Sequence, residues 1–146
     1  MQTYFFALLA FAMGMLMSVY LPMNTSISRY SGSPFAANFS FYLVGLVASI
    51  VVFAVFGNLR DALRLKSVPP YLFLTGVMSN LVILCTIFLI PRFGARKVFV
   101  LLLAGQVIMA VIASHFGILE SPKDPINLQK IAGAALLIVG AILSMT

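Results

Sequence analysis

A chain of 146 residues of which 62% are apolar and only 8% charged cannot cover a water-soluble surface, so its solvent is the lipid bilayer. The formal net charge of +6 rests on nine Lys and Arg against three Asp and Glu. The basic residues fall almost wholly in polar connectors, which fits contact with anionic headgroups and argues against a nucleic-acid-binding surface. Cys85 is the single cysteine, so there is neither a disulfide framework nor a cysteine metal cluster.

By the criterion of roughly 18 consecutive apolar residues, five spans are predicted, at 4–21, 35–56, 71–90, 98–115 and 131–145. The first is expected to be a span and not a signal peptide. Met1-Gln2-Thr3 carries no positive charge and no small-residue cleavage site follows. Its Ala10, Gly14 and Ser18 recur every fourth residue, a small-residue stripe on which another helix can pack.

Pro22 is expected to end this run and to open the longest polar interruption in the first half of the chain, closed by the turn Gly32-Ser33-Pro34. Asn24 lies inside it. The second span then places Asn38, Tyr42, Gly45 and Ser49 on one helical face. So regular a stripe is expected to face other helices, where it either meets substrate or satisfies itself by interhelical hydrogen bonds. The sequons at Asn24 and Asn38 read as accidental.

Residues 57–70 form a basic connector with Arg60, Arg64 and Lys66, read as a solvated loop or a short interfacial turn. The third span carries Ser79, Asn80 and Thr86 and stops at Pro91-Arg92-Phe93-Gly94. Gln106 falls near the middle of the fourth, where an unpaired carboxamide is costly, and is expected to bond to another helix or to ligand. His115 closes that span and is the one side chain near the membrane edge suited to proton exchange. The fifth span is short and rich in small residues, with Gly133 and Gly140 on one face.

No enzyme signature is present: no convergent Ser/His/Asp set, no His/Cys cluster for a metal, no phosphate-binding loop, and hence no cofactor. The carboxylates Asp61, Glu120 and Asp124 are all placed in connectors, so the usual intramembrane proton carrier is missing.

The residues Asn24, Gly32-Ser33-Pro34-x-x-Ala37-x-x-Ser40-Phe41-x-x-x-Gly45, Pro91-Arg92-x-Gly94, Gly105-Gln106 and His115-Phe116-Gly117, in this order along the chain, resemble the bacterial YdcZ-like family of the drug/metabolite transporter superfamily. Its members are short five-span inner-membrane proteins. One position departs: the acidic residue common before His-Phe-Gly is Ser114 here. The resemblance implies an all-α, five-transmembrane-helix bundle forming a single membrane domain over 1–146, and transport or export of a small molecule. Alternating access in a dimer is the expected mechanism. The expected pathway residues are Asn24, Asn38, Tyr42, Asn80, Gln106 and His115. The rival reading is a non-transporting membrane subunit that packs against a partner.

The last span also resembles the terminal-helix dimer motif of the small multidrug resistance transporters, with Gly133, Leu136, Leu137, Gly140 and Ala141 as the expected contact. Ala141 stands where a valine is usual. Five basic residues on one side of the membrane (Arg60, Arg64, Lys66, Lys123, Lys130) face four on the other (Arg29, Arg92, Arg96, Lys97), too small an imbalance to choose an orientation. Dual topology is therefore expected, with a homodimer that is antiparallel when both orientations occur.

Overall fold

Only two residues separate the first two long helices. The computed structural model, which describes residues 2–118 and 123–145, runs α1 from Gln2 to Ser31 and starts α2 (Pro34–Phe56) after Gly32 and Ser33. Gly32 makes the turn at φ 71, a left-handed conformation that a Cβ would resist. Ser33 then caps α2, its hydroxyl accepting from the Ala36 N–H, and Pro34 occupies the first turn, where no backbone donor is needed.

The chain continues through the short helix α3 (Leu59–Arg64), two 3₁₀ turns at Leu65–Ser67 and Pro70–Phe73, then α4 (Leu74–Phe93), α5 (Ala95–Phe116) and α6 (Leu128–Met145). No strand occurs among the described residues. Four segments are long and apolar enough to cross a membrane: Tyr4–Ser31, Pro34–Phe56, Pro70–Phe93 and Ala95–Phe116, with α6 a shorter apolar helix. Large apolar side chains such as Phe11, Val44, Phe56 and Leu136 lie exposed along these helices. That is the inverse of a soluble protein and is the surface a bilayer covers.

Pro22 does not end the first helix. α1 continues through it for nine further residues, so the expected polar connector 22–31 is helical. A proline inside a helix forfeits one backbone bond, a loss that membrane helices absorb through hydroxyls and neighbouring helices. Around it Ser18, Thr25 and Ser26 donate to carbonyls four residues back, at Gly14, Leu21 and Pro22, none of them the Ser18 carbonyl whose helical donor Pro22 removes. At 30 residues α1 is about 45 Å long, more than a hydrocarbon core needs, so it tilts or projects. Residues 59–64, expected as loop or interfacial turn, are helical because Asn58 caps them by accepting from the Arg60 N–H. Glu120 lies outside the described residues.

The chain falls into two compact units, Met1–Arg92 and Phe93–Thr146. In the first, α1 packs closely along α2, and Tyr20 stacks on Phe41 with ring centroids 5.7 Å apart. α4 meets α2 differently. No Cα of the two helices comes within 8 Å among the described residues, and side chains bridge the interval, Phe35 on Phe88 among them. In the second unit α5 packs on α6, with Ala104 and Ala141 buried. Gly117, left-handed at φ 63, ends α5, and the following N–H of Ile118 bonds back to the Ala113 carbonyl. Asn127 caps α6, its side-chain oxygen accepting from the Lys130 N–H.

Candidate functional site

Hydroxyls and carboxamides meet a membrane interior differently. A serine or threonine can donate to a carbonyl on its own helix, and most here do. Ser40, Ser49, Thr86 and Ser114 bond back to Ala37, Leu46, Val82 and Val111. A carboxamide has a donor end and an acceptor end, and a helix with its backbone paired satisfies neither. The asparagines are therefore the residues whose polarity must be answered from elsewhere.

Two of them are buried in the first unit. Asn24 on α1 is 2% exposed and Asn38 on α2 8%. Asn38 Nδ2 donates to Asn80 Oδ1 on α4 at 3.2 Å. One turn along, the hydroxyls of Tyr42 and Ser79 bond at 2.8 Å. These two bridges cross the interval between α2 and α4. Both ends of the Asn24 side chain, and the oxygen of Asn38, are buried without a hydrogen-bond partner among the described residues. Leaving such groups unanswered costs about 1–3 kcal/mol each, so native proteins hold few.

Helix register brings these groups to one level. Tyr20 stacks on Phe41, so one turn further along α1 and one turn back along α2 Asn24 falls level with Ala37, which is fully buried, and its neighbour Asn38. The Phe35–Phe88 and Tyr42–Ser79 pairs run α4 antiparallel to α2 and set Thr86, 2% exposed, near the same level. The result is a neutral polar seam on α1, α2 and α4, in the unit that also buries Leu21, Ile83 and Ile87.

The sequence-derived residues divide between the units. Asn24, Asn38, Tyr42 and Asn80 belong to this seam. The stripe predicted on α2 does not continue past Tyr42, because Gly45 and Ser49 are exposed and Ser49 turns back on its own helix. Gln106, expected to be buried, is exposed on α5. His115 is half-buried in the second unit, where its Nδ1 accepts from the Ile126 N–H at 3.1 Å and its ring meets Phe116 edge-on. Of the expected dimer contact, Gly133, Leu136 and Gly140 are exposed, Leu137 is half-buried and Ala141 is buried. Thr25 and Thr86 were not singled out for the pathway, yet both are buried at its wall. The signal for Thr86 was its place seven residues past Ser79, on the same face of α4. Both sequon asparagines are buried within helices, where no glycan attaches.

Exposed apolar helices around a buried, uncharged polar seam define a small multi-pass membrane protein. The sequence matches, over residues 5–143, the family described as "Putative inner membrane exporter, YdcZ". The chain belongs to that family and is a multi-pass protein of the inner membrane. No curated protein and no solved structure matches it.

Proposed function

We propose that the protein exports a small molecule across the inner membrane, working as a homodimer of five-span chains by alternating access. One observation carries this reading: the buried, unpartnered carboxamide atoms of Asn24 and Asn38 beside the polar side-chain bridges from α2 to α4. Groups that costly are kept in membrane proteins where a passing solute can answer them. α6 supplies the fifth span. Its 18 residues extend about 27 Å, enough for a thin hydrocarbon core.

The exposed face of Gly133, Leu136 and Gly140 forms the contact between chains in this reading. A Cβ added at either glycine would meet nothing within 4 Å, so a second helix can approach closely there. A scaffold role has its own support, since the Asn38–Asn80 and Tyr42–Ser79 pairs satisfy each other across the interval. Reconstituted protein separates the two. Asn38→Leu should lower solute flux from proteoliposomes far more than it lowers folded yield, and equal losses in both would leave only the scaffold. Gln106→Leu, at an exposed position of the second unit, tests in the same assay whether the pathway extends beyond the seam.

A further inference from the structure

We propose that the Asn24–Asn38 level of the seam binds an uncharged solute through a carboxamide-like group, one that donates and accepts on neighbouring atoms. The proposal rests on the exporter reading and names its substrate class. The unpartnered buried atoms are Asn24 Nδ2, Asn24 Oδ1 and Asn38 Oδ1, a donor and two acceptors. The neighbouring hydroxyls offer no further protons, because Thr25 and Thr86 have committed theirs to the carbonyls of Leu21 and Val82.

Charge decides among ligands. The buried polar side chains among the described residues are Asn24, Thr25, Asn38 and Thr86, all neutral. A cationic group would meet the two oxygens but leave the Asn24 N–H groups unanswered. An anion would meet those N–H groups and face both oxygens. Either would also shed water with no counter-charge to replace it. Arg29, the cation on the same helix, is exposed, beside Ser26 and Tyr30. A planar amide or urea answers all three atoms and brings no charge. One turn away lies the Tyr20–Phe41 stack, interplanar angle 23°, a flat apolar neighbour for the rest of the solute.

The test uses three planar isosteres that differ in charge: benzamide, benzoate and benzamidinium. Each is added to purified full-length protein in lipid nanodiscs and the melting temperature followed with dose. Benzamide should raise it and the charged pair should not. Asn24→Leu should abolish the benzamide shift. Asn24→Asp, which replaces the donor end by a charged acceptor, should transfer the response to benzamidinium. A merely structural asparagine would not produce that switch.

A wild-type shift with either charged isostere equal to that with benzamide overturns the proposal. So does a benzamide shift that survives Asn24→Leu, or no benzamide shift at all. Should Asn24→Leu fail to fold, the wild-type trio and Asn24→Asp decide. Counterflow in proteoliposomes separates this site from the function it rests on. Benzamide bound but never moved removes export and keeps the site, whereas flux and binding of benzamidinium remove the site and keep export.

Discussion

Asn38 donates through Nδ2 to the side-chain oxygen of Asn80 at 3.2 Å, while its own buried oxygen has no partner. The bond joins α2 to α4 where their backbones stand apart, so its removal is expected to be felt in stability. Asn80→Leu strands the whole Asn38 carboxamide and should destabilise by about 1–3 kcal/mol. The double variant Asn38→Leu/Asn80→Leu should recover part of that loss, because no buried donor is then left over. Interhelical bonds in membranes themselves average only about 0.6 kcal/mol. Equilibrium unfolding in mixed micelles of the four combinations gives the coupling, and a double variant worse than the sum of the singles would contradict this account.

The Tyr42–Ser79 bond spans the same two helices but at a more exposed position. Tyr42→Phe keeps the ring that packs edge-on against Phe41 and removes only the hydroxyl. A loss below about 1 kcal/mol is expected in the same unfolding assay. A larger loss would place this hydroxyl, and not Asn38, at the centre of the bridge.

Much of this fold follows from the apolar runs, since helices that must satisfy their backbones in lipid have few alternatives. The positions of α2, α4 and α5 and the Gly32-Ser33-Pro34 turn were readable for that reason. The course of α1 was not. Pro22 signals a stop by soluble-protein chemistry, whereas three hydroxyl-to-carbonyl bonds accompany the helix through it. Asn24, Asn38 and Asn80 stand out in sequence because carboxamides are conspicuous among apolar neighbours. Which atoms stay unpartnered was not readable, because that depends on the register between helices and not on spacing within one. Gln106 shows the converse: mid-span position alone does not tell which way a side chain faces.

Gly32 sets that register, holding φ 71 between α1 and α2. Gly32→Ala meets no atom within 4 Å, so its cost is backbone strain alone, about 1–2 kcal/mol. Gly14→Ala on α1, also in open space but within a helix, is the control and should be neutral or slightly stabilising. Thermal unfolding of the two variants checks this. Equal melting temperatures would show that the turn is not constrained.

His115 accepts the Ile126 N–H through Nδ1, an acceptor that exists only while that nitrogen carries no proton. Removing that acceptor by His115→Phe should therefore release Ile126, raising its amide exchange while the helical amides of α5 stay protected. The ion pair of Lys130 with Asp124, and the Lys130 contacts to the Asp124 and Pro125 carbonyls, hold the same segment and limit the opening. Hydrogen exchange of His115→Phe against the wild type at one pH reads the effect. Exchange at Ile126 that ignores the substitution would show that the bond does not organise this connector.

Assembly is the last expectation, and it rests on the outer face of α6. Gly133, Leu136 and Gly140 are exposed, while Ala141, about 80° round the helix from Gly133, is buried in its own unit. The two glycines, seven residues apart, leave a shallow strip that a second α6 can fill by close backbone approach. Gly140→Leu fills the strip and forces the backbones apart, so the dimer fraction in nanodiscs should fall while the monomer stays folded. Ala141→Leu acts on the inward side and should instead lower monomer stability. With five basic residues on one side against four on the other, C-terminal reporter fusions should give signal from both faces of the membrane. Cysteines placed at 133 and 140 should then crosslink 133 to 140 in an antiparallel pair, since opposed helices align one end with the other. Crosslinks of 133 to 133 and 140 to 140 alone would make the pair parallel, and none in a protein that still transports would move the dimer contact away from α6.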